Sequence, residues 1–374
     1  MVQIWFKKSS SNLSSQPINT DWMSKLSDQQ KRQPISKLII PGSHDSGAYK
    51  LSTELGIAID RPGLNQFYIN KFSFITYPII YRYSQTQYQN IYEQLKSGIR
   101  YLDLRISLNP LDDEFYITHN FYGPPLLIVL FQIKRFIENY PNEIIIIDIQ
   151  HTYNIDTDDK FNRLIDIFNI IFHDQMFLPT SNDEFQMPSI NDMINKRQPI
   201  MVIYRGNYPN RQQETNEKQI PKFFLPNSII YSPWPDTRCP LMLEKFIDNI
   251  LSTKINPNRL FVMQTVLTPN NLFVIINFWS SLRRLSESIG KIIWNLFGFQ
   301  EQDSKNQDQD DDQQQQQRCK KLDKINIVMY DYIDRQWKKD GKFLIDQIIA
   351  ANFFKQPDQK SFDNNHSIVM KKIN

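Results

Sequence analysis

The chain has 374 residues, 40% hydrophobic and 13% aromatic, enough to bury a substantial core in one large domain or two ordinary ones. A formal net charge of +3 produces no large single-sign field, so a polyanion such as nucleic acid is not an expected partner. Cys239 and Cys319 make neither a disulfide framework nor a metal-ligand spacing, and no apolar run approaches the ~20 residues of a membrane-spanning helix. A reduced, cytoplasmic monomer is therefore expected, with any contact to membranes being peripheral.

The N-terminus, MVQIWFKKSSSNLSS, puts an apolar patch before its lysines, the reverse of a secretory signal, and residues 1–20 are read as an extension. Residues 37–41 (KLIIP) then read as a buried strand that runs straight into His44 and Asp45. The long, tyrosine-rich stretch 50–87 has room for a helix of its own or a lid. A helix over 88–97 and strands over 100–106 and 115–118 follow, then a helix over 125–139 and a strand over 144–150. Another helix is predicted over 158–172, with strands over 199–204 and 228–231, a helix over 241–252, and strands over 260–265 and 325–332.

The strands are short, β-branched or aromatic, and continuously apolar, as strands covered on both faces are. Strand alternating with helix about eight times predicts an α/β fold, a distorted (β/α)8 TIM barrel in a single domain over 21–355. Phe278, Leu282, Leu285, Ile289, Ile292 and Leu296 recur at helical spacing, which fits a helix packed on the barrel or one lying in a membrane interface. Residues 300–318 (QEQDSKNQDQDDDQQQQQR) are too polar to bury and are expected to be a disordered loop; 356–374 are read as a tail.

In such a barrel the chemistry belongs at the C-terminal strand ends. There the predicted strands carry His44 and Asp45, Asp103 and Arg105, His119, Asp148 and Gln150 with His151, Arg205, Gln264, and Asp331. Three of the five histidines fall at these positions. Asp103 and Arg105 are two apart and so point to one side of their strand, where both are costly unless paired or functional. Singly, either His44 or His119 is as well explained as a hydrogen-bonded structural residue. With an arginine between them, they fit in-line attack on a phosphodiester: one imidazole takes a proton, the other gives one, and the guanidinium steadies the phosphoryl oxygens. Asp45 and Asp331 then serve to orient these groups. A metal is the competing explanation of clustered His and Asp, but a guanidinium on the same face is a poor neighbour for a dication. No cofactor or metal is expected.

The stretches PGSHDSGAY, YEQLKSGIRYLDLRI, ITHNFYG, NEIIIIDIQH, YSPWPDT, QTVLTP and NIVMYDYID occur in order between Trp22 and Trp337. Together they resemble the X domain of phosphatidylinositol-specific phospholipases C, most closely the small X-domain-containing proteins and their bacterial relatives. The resemblance implies cleavage of phosphatidylinositol-type lipids at a membrane surface to diacylglycerol and a cyclic inositol phosphate. It implies His44 as general base, His119 as general acid and Arg105 as the phosphate's partner. Asp45 supports His119 and Arg105, Asp331 supports His44, and Asp103 helps hold the network. It further implies contacts to the inositol headgroup from Arg205, from Gln150 (where bacterial enzymes place a lysine) and from Trp234 of the SPWP block. The large calcium-dependent members carry Asn after the first histidine and Glu-x-Asp on the second strand, whereas this chain has Asp45 and Asp103-Leu104-Arg105, so the likeness is to the metal-free branch. A binding barrel with weak or no turnover and a metal-dependent glycerophosphodiesterase remain as alternatives.

Overall fold

The computed structural model describes residues 19–58, 60, 66–179, 185–208, 220–297, 321–334, 338–339 and 342–354. The expectations for the extension before residue 19, the loop 300–318 and the tail 356–374 lie outside these residues.

The strands that position the site are β1 (Ile40–Ser43), β2 (Ser52–Ile57), β3 (Tyr101–Asn109), β4 (Glu114–His119), β5 (Phe121–Pro125) and β6 (Ile145–Tyr153). They continue with β7 (Ile200–Tyr204), β8 (Phe224–Pro226), β9 (Ile230–Tyr231), β10 (Leu260–Gln264) and β11 (Ile327–Tyr330). Eight of them pair in parallel in the order β8-β7-β6-β3-β1-β11-β10-β9, so the last parallel strand lies beside the first. Among the described residues no ladder joins β8 to β9, and the molecule is an α/β protein with an open, mixed sheet in place of the closed barrel expected. Only the turn Asn227–Ile229 separates those two strands, whereas a parallel neighbour needs a crossover of a dozen residues or more.

The predicted third barrel strand, 115–118, takes a different place. It is β4, paired antiparallel with β3, and β5 and β2 extend this antiparallel flank. The reason is length: residues 110–113 leave room for a hairpin and none for a covering helix. The eighth parallel strand is instead the three-residue β8, too short to read from sequence.

The helices Leu126–Asn139, Asp158–Phe172 and Pro240–Ser252 agree with expectation to within a residue at each end. In the first, Val129, Leu130, Ile133, Phe136 and Ile137 form one buried stripe. In the second, the Thr157 side chain caps the Lys160 N–H, and Asp158 and Asp159 occupy the positive end of the helix dipole. The predicted amphipathic run 278–296 is not one helix: it breaks into Leu282–Ser286 and Ile289–Phe297, with Phe278 exposed ahead of both. Ile289, Ile293 and Phe297 are buried, which makes the second piece a covering helix.

Ile144 to Ile147 and Ile149 are all fully buried between the helices and the sheet interior. At roughly 1.5–3 kcal/mol for each fully buried large aliphatic side chain, this strand anchors the sheet. Beneath it, at the N-terminal ends of β3 and β6, Arg100 and Glu143 form a fully buried ion pair. Arg100 Nε lies 2.9 Å from Glu143 Oε2, and its Nη1 donates to the carbonyls of Leu95 and Ile99. This pair closes the end of the sheet opposite the polar mouth.

Candidate active site

The polar mouth follows from strand register. Ser43 of β1 sits opposite both Leu102 of β3 and Tyr330 of β11, so one step onward His44 has Asp103 on one side and Asp331 on the other. The backbone then turns sharply: Asp45 has φ 39°, in the left-handed region, and its N–H donates to Asp103 Oδ2 at 3.2 Å. That turn swings the Asp45 carboxylate inward to meet Arg105, which lies two residues past Asp103 on the same face of β3.

His119 arrives from the antiparallel flank. It ends β4, and Asn120 (φ 61°), whose N–H donates to Asp60 Oδ2 at 2.8 Å, makes the turn into β5. The two imidazole centroids are 6.4 Å apart. His44 Nδ1 is 2.7 Å from Asp331 Oδ1, and His119 Nδ1 is 2.7 Å from the carbonyl oxygen of Ser84. A carbonyl can only accept, so His119 carries its proton on Nδ1 and presents Nε2 to the mouth. Both Nε2 atoms face one oxygen, Asp45 Oδ2, at 3.2 Å from His44 and 3.5 Å from His119. Arg105 Nε lies 2.7 Å from the other oxygen, Asp45 Oδ1. His44, Asp45, Asp103, Arg105, His119 and Asp331 thus converge from β1, β3, β4 and β11 on one pocket.

The electrostatics differ at the two histidines. Burial disfavours the charged form of His44, but Asp45, Asp331 and Asp103 outweigh it and raise its pKa to about 9. Burial lowers His119 to about 4, and Arg105 and His44 oppose its charging further. Asp45 is buried, yet Arg105 and the two histidines hold it down at about 2. Burial and the neighbouring Asp45 push Asp103 up to about 6. In the unliganded pocket the extra proton therefore resides on His44.

A second cluster adjoins the first. Asp148 on β6 is fully buried and accepts from Tyr101 Oη at 2.6 Å and from Arg205 Nη1 at 2.9 Å. Arg205 reaches it from the end of β7, one residue past the pair Ile149 and Tyr204. Between Leu104 and Arg105 the register of β3 against β6 slips by one, so Arg105 pairs with His151 and Gln150 is the extra residue of a β-bulge. Gln150 is buried there, and His151 shares the edge of the mouth with Arg105. Trp234 stands apart, 56% exposed on the loop after β9, with its indole N–H donating to Thr268 Oγ1 at 3.1 Å.

Several supporting groups carry no local sequence signal. Thr86 Oγ1 donates to the Asp45 carbonyl at 2.9 Å, and Gln87 Nε2 donates to the His44 carbonyl at 3.0 Å. Ser84 ends the helix Ser73–Ser84 and Thr86 and Gln87 follow it, inside the stretch expected to hold a helix or lid. Nothing in their identity announces that they would grip both histidines.

Residues 61–205 match the family model described as phosphatidylinositol-specific phospholipase C, X domain. The PI-PLC X domain-containing protein 3 of Danio rerio is 27% identical over 265 residues, covering 70% of this chain and 78% of the relative. The likeness to the phosphatidylinositol-specific phospholipase C X domain thus covers residues 61–205 and extends to relatives named for that domain. The variant-surface-glycoprotein phospholipase C of Trypanosoma cruzi is 26% identical over 284 residues, covering 72% of each chain. Among solved structures, the phosphatidylinositol-specific phospholipase C of Listeria monocytogenes shares the fold at a TM-score of 0.54 and 18% identity, over 89% of this chain and 98% of that one. Arg105 and His119 lie within the matched residues and His44 lies before them, and the structure assembles all three around the single carboxylate of Asp45.

Proposed function

We propose that this X domain is a phospholipase C that cleaves phosphatidylinositol-type lipids without a metal ion, on a barrel left open between β8 and β9. The observation that carries the reading is the shared pocket: two imidazoles 6.4 Å apart, each anchored through Nδ1, with a guanidinium beside the carboxylate that both Nε2 atoms face. Arg105 neutralises the phosphoryl oxygens. Neutral His44 takes the proton of the inositol 2-hydroxyl as that oxygen forms its bond to phosphorus. Protonated His119 gives its Nε2 proton to the glycerol oxygen as the old P–O bond breaks. The products are diacylglycerol and a cyclic inositol phosphate. Arg205, fixed by Asp148, together with Gln150 serves the inositol ring, and Trp234 acts at the rim.

After that transfer His44 is charged and His119 is neutral, the same distribution that burial and the carboxylates favour in the unliganded pocket. It is also the state that hydrolysis of the cyclic ester requires, with His119 accepting from water. For the first step, an anionic phosphodiester beside Arg105 and His119 favours the charged form of His119 and so resets the pair. Asp45 Oδ2, within 3.5 Å of both Nε2 atoms, is the route between them.

One ligand atom each from His44, Asp45 and Asp103 lies within 4.8 Å of the others, a set that a cation could use. Arg105 argues for the metal-free reading: its permanent positive charge rests against the same Asp45 carboxylate. The test is release of water-soluble inositol phosphate from phosphatidylinositol vesicles by the purified protein in EDTA. Release well above that of the His44→Ala variant is expected. Release no greater than that variant's, or release only on adding calcium or magnesium, defeats the proposal.

A further inference from the structure

His119 is delivered by a turn that is held from outside its own hairpin. Asn120, between β4 and β5, has φ 61°, a left-handed conformation that Asn tolerates better than most side chains but that still needs its surroundings to hold it. Three contacts do so. The Ala58 N–H donates to the Asn120 carbonyl at 2.8 Å, the Asn120 N–H donates to Asp60 Oδ2 at 2.8 Å, and Asn120 Nδ2 donates to Ser84 Oγ at 2.7 Å. The first two come from the segment that leaves β2, whose Ile57 lies opposite Phe121 of β5. The third reaches the residue whose carbonyl accepts the His119 Nδ1–H.

Ala58 already pairs the Asn120 carbonyl, so Asp60 adds something other than closure of the strand edge. The N–H it accepts belongs to the planar peptide that joins His119 to Asn120. Holding that N–H fixes the plane, and with it the backbone angle from which the His119 side chain springs. We infer that Asp60 is a positioning residue for the general acid: it keeps the His119 Nδ1–H on the Ser84 carbonyl and so aims Nε2 at the leaving oxygen. This role rests on the reading of His119 as the acid. Charge agrees in sign. Burial disfavours a charged His119, as do Arg105 and His44, whereas Asp45 and Asp60 favour it. A neutral acceptor at position 60 would hold the peptide plane but not help the imidazole to carry its proton.

The experiment compares Asp60→Ala, which removes the acceptor, with Asp60→Asn, which keeps one. Two inositol phosphodiesters separate positioning of the acid from general damage: the lipid, whose glycerol oxygen must be protonated as it leaves, and a para-nitrophenyl ester, whose phenolate leaves without a proton. Asp60→Ala should lower kcat on the lipid about 30-fold, with KM within about twofold and the loss on the nitrophenyl ester under about threefold. Asp60→Asn should lose only about threefold on the lipid. Nitrogen–proton NMR of the imidazole rings, assigned with His119→Gln, gives a readout that needs no turnover. Wild-type His119 should carry its proton on Nδ1, and Asp60→Ala should show a mixture of the two tautomers. Equal losses on both substrates, an Asp60→Asn variant as impaired as Asp60→Ala, or an unchanged tautomer in Asp60→Ala overturns the inference. His119→Ala run beside them marks the other failure: equal losses there defeat the acid assignment itself, and the tautomer still decides whether Asp60 sets the ring.

Discussion

Asp331→Asn isolates the charge that holds His44, because it keeps the side-chain shape and removes only the anion. In the structure Asp331 Oδ1 is 2.7 Å from His44 Nδ1, and both side chains are largely buried. Taking the delocalised charges as about 4 Å apart at an effective dielectric of about 20, their attraction is about 4 kcal/mol, or about 3 pK units. Solvent access to the imidazole, 14% exposed, and the retained Asp45 and Asp103 reduce the expected change to about 1–2 units. His44 should therefore fall from about 9 toward the neutral range. The assay is an NMR titration of the histidine ring signals, with His44→Gln assigning the resonance. The sign also applies to folding. His44 titrates above its ordinary value of 6.5, so its stabilising contribution is complete below about 6.5 and is lost as pH rises through about 9. In the variant that loss should shrink and end at lower pH, which thermal melts from pH 6 to 10 would record. A His44 pKa within half a unit of wild type would falsify the electrostatic account of the pair.

His119 should behave in the opposite sense: held down at about 4, it leaves the unfolded chain to take the proton first, so stability falls as pH drops from about 6.5 toward 4. His119→Gln should flatten that limb of a melting-temperature profile. Removing either imidazole, by His44→Ala or His119→Ala, should lower kcat by about 10²–10⁴-fold with the circular dichroism unchanged, and near-normal turnover would end the assigned roles. Arg105→Lys should lose most activity, because a point charge cannot reproduce planar, two-point contact with the phosphate; the check is kcat in vesicle assays. At the other end of the sheet, Glu143→Ala strands a fully buried Arg100 and should cost about 3–5 kcal/mol in urea unfolding, and a cost below about 1 kcal/mol would show that the pair is not needed.

Much of the layout was readable along the chain. The apolar strands at β6, β7 and β10 and the helices 126–139, 158–172 and 240–252 follow from periodicity, since a covered strand or an amphipathic helix leaves its mark within a dozen residues. The polar residues at strand ends could be picked out the same way. The misreadings share one cause: an apolar β-branched run looks alike whether it pairs in parallel or antiparallel. Residues 115–118 therefore read as a barrel strand, whereas in the structure the preceding strand runs on to Asn109 and leaves only 110–113 for the hairpin. Likewise, the spacing from 278 to 296 could not reveal that the chain breaks near 281 and 288 and leaves Phe278 and Trp279 exposed.

What the sequence determined by itself is the inventory: which side chains reach the polar mouth and which face of each element is apolar, because both depend on alternation within a single strand or helix. What only the tertiary structure decided is partnership. That His44 and Asp331, 287 residues apart, meet at 2.7 Å depends on β1 lying beside β11 in one register. A slip of one residue would turn one of them away from the mouth. The Ser84 carbonyl holds His119, and the Thr86 and Gln87 side chains donate to the carbonyls of Asp45 and His44; each contact uses a backbone carbonyl, a group that every residue possesses and no sequence pattern distinguishes. The charge on each imidazole is likewise a property of the assembled pocket, set by burial and by carboxylates and a guanidinium that come from different strands.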